Sequence, residues 1–100
     1  MRKLNQALTD DSFRAVGYEF DHTYVYFLTQ ILLYGQVSVL VLDNNPLGDD
    51  GVIKLAPVIK KLPLNELSLV SVSMGNTGAS ALFTALKEVP TICKLNISTG

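Results

Sequence analysis

The chain has 100 residues, 48% hydrophobic and 17% charged, with a formal net charge of −1. So apolar a composition excludes a disordered tail, and the near-neutral, scattered charge argues against a nucleic-acid surface, which carries a basic stripe. Cys93 is the single cysteine, which leaves no intrachain disulfide or cysteine-rich metal site and fits an intracellular setting.

Residues 1–11 hold basic side chains but no apolar stretch long enough for a signal peptide. A first strand is expected around Phe13 and Ala15, then a helix capped by Asp21, running to about Tyr34 and ended by Gly35. That helix is apolar nearly all round: Tyr24, Val25, Tyr26, Phe27, Leu28, Ile31, Leu32, Leu33 and Tyr34. Such a helix is covered on more than one side. Two covers are open, residues 1–8 folded over it as an N-terminal cap, or a partner docked on its aromatic rings. The run 23–42 contains no charge and has the 20 residues of a membrane span. Gln30, Gly35, Gln36 and Ser38 interrupt it, and a split at Gly35 into helix and strand accounts for both halves, so no membrane span is expected.

Val37, Leu40 and Leu42 alternate as in a strand with one buried face. A helix is expected over 50–62, with Leu55, Ile59 and Leu62 as its buried stripe and Asp49 or Asp50 as its N-cap. Pro57 lies inside it, removes a backbone bond and should kink or split it. Lys60, Lys61 and Pro63 mark its end. Leu64, Leu67 and Leu69 then make a strand, and 77–89 a helix with Leu82, Leu86 and Val89 buried, capped by Asn76 or Thr77 and stopped by Pro90. Ile92, Leu95 and Ile97 open one more strand.

These elements recur. Val37, Leu40, Leu42, Leu47, Gly51, Leu55, Ile59 and Pro63 map onto Leu64, Leu67, Leu69, Met74, Gly78, Leu82, Leu86 and Pro90 at a constant offset of 27 residues. Moving back by the same offset lands on Phe13, Ala15, Phe20, Leu28 and Leu32. The chain reads as one domain, 1–100, with units near 10–36, 37–63 and 64–91 and an opening strand in 92–100. A fixed period of this length means stacked units, because one alone cannot bury its apolar face.

The pattern Leu40-x-Leu42-x-x-Asn45-x-Leu47-x-x-x-Gly51-x-x-x-Leu55-x-x-x-Ile59-x-x-x-Pro63, with its copy from Leu67 to Pro90, resembles the ribonuclease-inhibitor type of leucine-rich repeat. The resemblance implies an α/β fold of a particular kind. It is a right-handed β-α solenoid, a horseshoe segment with a parallel sheet on the concave face and helices on the convex face. Protein binding is the usual task of that family, whose members include inhibitors, innate immune sensors, GTPase activators and cytoskeletal scaffolds. Asn45 stands where the family has an asparagine bonding buried backbone at the turn. Its equivalents here are Tyr18, Val72 and Gly100, so more irregular turns are expected in those units.

In such a fold the residues flanking the buried leucines point to the concave face. Those proposed to hold a partner are Arg14, Val39, Val41, Asp43, Glu66, Ser68, Val70, Lys94 and Asn96, with Ser12, Val16 and Ser98 beside them. Arg14, Val41, Ser68 and Asn96 should form one transverse row. The expected function is a protein–protein interaction module, with Ser68→Arg or Val41→Asp abolishing binding. Alternatives are a scaffold piece that homodimerises through the C-terminal edge strand, or a regulator of a GTPase or other enzyme, to which no residue carries over, since Arg14, the only arginine within a unit, suits a contact residue better than a phosphate finger. No catalytic, cofactor or metal residue is expected. His22 beside Asp21 suits a helix start, Asp43, Asp49 and Asp50 suit turns and caps better than a cation, and Cys93 beside Lys94 suits an inert strand thiol.

Overall fold

A computed structural model describes residues 8–9 and 11–98. Its five strands, β1 (Leu8–Thr9), β2 (Ser12–Arg14), β3 (Val39–Val41), β4 (Glu66–Leu69) and β5 (Lys94–Ile97), lie in one sheet in chain order. Three helices, α1 (Val25–Gly35), α2 (Gly48–Ile59) and α3 (Asn76–Leu86), make the crossovers that parallel strands require. Strands β2 to β5 are parallel, and β1 runs antiparallel along the outer edge of β2. The protein is thus α/β with a four-stranded parallel sheet. β1 has no counterpart in the sequence reading, since two residues carry no alternation to detect.

The register follows the sequence period. Phe13, Leu40, Leu67 and Leu95 are successive partners across the sheet, at offsets of 27, 27 and 28 residues. The strand entrances repeat one hydrogen-bond pattern. The Asp11 carbonyl accepts from the amides of Ser38 and Val39, the Ser38 carbonyl from Asn65 and Glu66, and the Asn65 carbonyl from Cys93 and Lys94. Phe13, Leu40 and Leu67 are fully buried with Leu28, Leu32, Leu55, Ile59 and Leu82 of the helices in one continuous core. Each such side chain contributes about 1.5–3 kcal/mol of transfer free energy. The uncharged run 23–42 divides between α1 and β3, and no helix among the described residues is long and apolar enough to cross a membrane.

The helices depart from expectation at their ends. α2 and α3 stop at Ile59 and Leu86, and the next residues tighten into turns in which Lys61 and Leu62 donate to Val58 and Ile59, and Glu88 and Val89 to Ala85 and Leu86. Leu62 and Val89 stay buried, so the apolar stripe outlasts the helix. Pro57 does not split α2, which is continuous through it. The proline lies two residues from the helix end, and the carbonyl it leaves without a donor belongs to Ile53, itself exposed. α1 runs through Gly35, and the left-handed closing residue is Gln36 (φ 47°), whose amide donates to Leu32 and whose side-chain Nε2 donates to the Leu33 carbonyl at 2.8 Å. The N-cap of α1 is Tyr24 and not the expected Asp21, which holds the turn just before the helix by accepting from the Thr23 hydroxyl and from the amides of Thr23 and Tyr24. Those bonds, the hydroxyl's first, hold its carboxyl below the usual aspartate range.

Neither Asp49 nor Asp50 caps α2, whose N-cap is Leu47. Asp49 reaches sideways instead, and its Oδ1 accepts from the amides of Gly75 (2.7 Å) and Gly78 (2.8 Å) at the start of α3. Asn76 and Thr77, the expected caps, lie inside the first turn of α3. The cross-cap explains a glycine at 78. A Cβ there would meet Asp49 Oδ1 at 2.6 Å and Asp49 Cα at 3.2 Å.

Asn45 is fully buried and bonded on both sides of its amide. Oδ1 accepts from the amides of Tyr18 (2.9 Å) and Phe20 (3.1 Å), while Nδ2 donates to the carbonyls of Ala15 (2.6 Å), Leu42 (2.9 Å) and Asp43 (3.2 Å). One side chain therefore serves its own turn and the turn 27 residues earlier. Where the asparagine is missing the backbone differs. Gly17, Asn44 and Ser71 are left-handed in all three turns, and the second left-handed residue is Glu19 (φ 64°) or Ser73 (φ 60°) in the turns without the asparagine but Gly48 (φ 70°) in the Asn45 turn. Their counterpart in the Asn45 turn is Pro46, which cannot take that conformation. Each non-glycine residue held there costs about 1–2 kcal/mol, and this is the form the expected irregularity takes.

Asn45→Ala leaves buried amides and carbonyls of two turns without partners and should destabilise the chain by about 3–5 kcal/mol in chemical denaturation. Asp49→Ala should cost about 1 kcal/mol, the worth of one N-cap.

Candidate functional site

The face of the sheet away from the core is built from the alternate residues of each strand. Arg14, Val41, Ser68 and Asn96 are register partners in one row, and Ser12, Val39, Glu66 and Lys94 in the next. The rows differ from the expected exposed patch in one respect. Val41 and Ser68 are only 7% and 4% accessible. Both have short side chains and a strand on either side about 4.8 Å away, so the middle of the row is sealed. The Ser68 hydroxyl donates to both oxygens of the Asp43 carboxylate, at 2.8 and 3.0 Å, and the Val70 amide donates to the same carboxylate at 2.8 Å. Asp43 thus anchors the exit of β4 from the β3 side, and Ser98 anchors it from the β5 side, its Oγ accepting the Ser71 amide at 3.0 Å.

Around this sealed centre, Arg14, Lys94 and Asn96 are exposed, and Val39, Asp43, Glu66 and Val70 are partly so. Val16 lies half exposed beyond the end of β2. Glu66 and Lys94 are register partners of opposite sign. The surface is a shallow platform of mixed charge with small apolar patches.

The outer side of the molecule holds a groove of about 730 Å³ between α2 and α3, walled by Ile53, Ala56, Pro57, Ser80, Ala81 and Thr84. Lys60 at its end is engaged with Glu88 at 3.1 Å. Near the other end of the sheet an aromatic cluster joins Phe20 and Tyr24, stacked at 4.4 Å between centroids, to Tyr18 at 5.6 Å from Phe20 and Phe27 at 6.2 Å from Tyr24. Burial raises the Tyr24 hydroxyl above the ordinary tyrosine range. Tyr26, Phe27 and Tyr34 of α1 are 61%, 59% and 91% exposed, so the helix is not covered all round. The cap expected from residues 1–8 falls almost wholly outside the described residues.

Among the described residues no three His, Cys, Asp or Glu side chains gather where they could hold a metal ion. His22 is exposed, and its carbonyl accepts from Lys54 Nζ at 3.5 Å. Cys93 is exposed, with its Sγ 3.5 Å from the Thr91 carbonyl. The chain matches no known family, no curated protein and no solved structure.

Asp49 was missed as a bridging residue because local capping rules search only the next few residues, whereas its partners are 26 and 29 positions ahead. The sealed centre changes which substitutions are informative. Val41→Asp and Ser68→Arg should lower stability by about 2–4 kcal/mol and confound any binding assay. Arg14→Glu should leave stability within about 0.5 kcal/mol, as thermal melts of the variants will show.

Proposed function

We propose that the chain is a segment of a β-α solenoid of leucine-rich repeat type whose free sheet face binds another protein. The lateral register carries this reading, because one residue from each strand stands in each row and the face offers a fixed array. Neighbouring strands need about 4.8 Å and packed helices about 8–10 Å. A stack with all its helices on one side therefore bends toward the strands, and the sheet face becomes its inner, concave surface.

The accessible groups favour a protein partner. Arg14, Lys94, Glu66 and Asp43 alternate in sign around Val39 and Val70, which suits a partner of mixed charge and does not suit a polyanion. Arg14 is the best anchor, since arginine is enriched where binding energy concentrates. The setting is intracellular, where the exposed thiol of Cys93 stays reduced.

The test places a photo-crosslinking residue at Val39, Glu66 or Asn96, and in parallel at Pro57 or Thr84 on the helix side, in the cells that make the protein. The sheet positions should trap one common partner, and Arg14→Glu or Glu66→Lys should weaken its binding about tenfold. Trapping only from the helix side, or binding indifferent to both charge reversals, would overturn the proposal.

A further inference from the structure

The solvent side of α1 and of the turn before it is unlike that of the other two helices. Thr23, Tyr26, Phe27, Gln30 and Tyr34 are exposed there, all uncharged and three of them aromatic. At the matching positions the second unit has Asp50, Ile53, Lys54, Pro57 and Lys61, and the third has Thr77, Ser80, Ala81, Thr84 and Glu88. Every one of these is exposed except Ala81, which is half-buried. Because α2 lies between two other helices and is still open at these positions, the exposure belongs to the position itself. It does not depend on what precedes or follows the described residues. A water-facing helix side ordinarily carries charge, and α1 carries none. Tyr26 and Phe27 meet edge to face at 5.7 Å, and Phe27 is joined through Tyr24 to the buried Phe20. Tyr34, 91% accessible, stands out from the surface.

We propose that this face docks on a bilayer surface carrying anionic phospholipids, with α1 lying in the plane of the headgroups. Two features of the surface select that occupant. The first is the chemistry of the rings. A tyrosine has an apolar body and a polar tip, which suits the boundary between acyl chains and headgroups. No charge between Thr23 and Leu42 has to be desolvated there. The second is the flank. Lys54 and Lys61 hold on the α2 side the positions of Phe27 and Tyr34, one helix spacing of about 8–10 Å away. Neither forms an ion pair among the described residues, so both ammonium groups can reach headgroup phosphates. The nearby acidic residues Glu19 and Asp21 precede α1, and Asp50 lies in the first turn of α2. The contact is therefore centred on the later turns, where Tyr34 and Lys61 stand. An aromatic face alone would fit an apolar protein groove equally well; the flanking lysines decide for anionic lipid.

This inference stands apart from protein binding at the sheet face, which lies on the other side of the core and stays open. It is tested by co-sedimenting the full chain with vesicles of phosphatidylcholine alone and of phosphatidylcholine mixed with phosphatidylserine. The chain should bind the mixed vesicles and bind the neutral ones more weakly. Phe27→Ser combined with Tyr34→Ser should weaken binding to the mixed vesicles about tenfold, and Lys61→Gln about fivefold. Phe83→Ser, which removes a phenylalanine 48% accessible on α3, should leave binding unchanged. The chain has no tryptophan, so a Tyr34→Trp variant reports insertion without removing the ring, and its emission should shift to the blue when mixed vesicles are added. Equal binding to both vesicles, binding to neither, binding that survives the double serine variant, or an unshifted emission would each overturn the proposal. So would a dimer formed without lipid and dissolved by the double variant, which would give the face to a second copy.

Discussion

A fully buried amide side chain that ties two turns together is the constraint on which the rest of this structure depends. Burying an amide without partners costs several kcal/mol, so Asn45 is tolerable only if neighbouring backbone meets it on every side. It does, through the amides of Tyr18 and Phe20 and the carbonyls of Ala15, Leu42 and Asp43. The bond to the Asp43 carbonyl holds the residue whose carboxylate takes Ser68 and Val70. Four residues on, Asp49 takes the first amides of α3. From one short stretch, then, the chain is fastened backwards to the preceding turn and forwards to the following strand and helix.

The division of labour between polar and apolar groups follows. Leucines at constant spacing supply the burial that drives the segments together, but a hydrophobic stripe is nearly indifferent to sliding along its neighbour. The directional bonds are not. Ser38 to Asp11, Thr91 to the Leu64 carbonyl and Ser98 to the Ser71 amide each cross 27 residues, the register of β2 with β3 and one residue short of that of β4 with β5. Apolar contact thus supplies most of the stabilisation, and the side-chain-to-backbone bonds select the alignment.

Much of this was legible in the sequence, for a simple reason. A repeat converts a three-dimensional register into a one-dimensional offset, so matching Leu40 with Leu67 already predicts which residues are neighbours across the sheet. Asn45 was legible too, through the resemblance of its motif to a repeat type that has an asparagine at that position. The unread features depend on what lies to the side. Asp49 looks like a cap for its own helix because nothing nearby in sequence points to Gly75 and Gly78. Alternation tells which face Val41 and Ser68 occupy, but not that their neighbours close over them. The end of α1 falls on Gln36 and not on Gly35 because a side-chain bond to Leu33 supports the left-handed residue.

The most direct test of the Asn45 lock is native-state hydrogen exchange at the amides of Tyr18 and Phe20, the two donors to its Oδ1. If the side chain fastens the turns, both amides exchange only when the whole molecule opens, as slowly as core helix amides such as Leu32. Exchange of Tyr18 and Phe20 at the rate of a free loop, with Leu32 still protected, would contradict the lock and leave apolar packing alone to set the register.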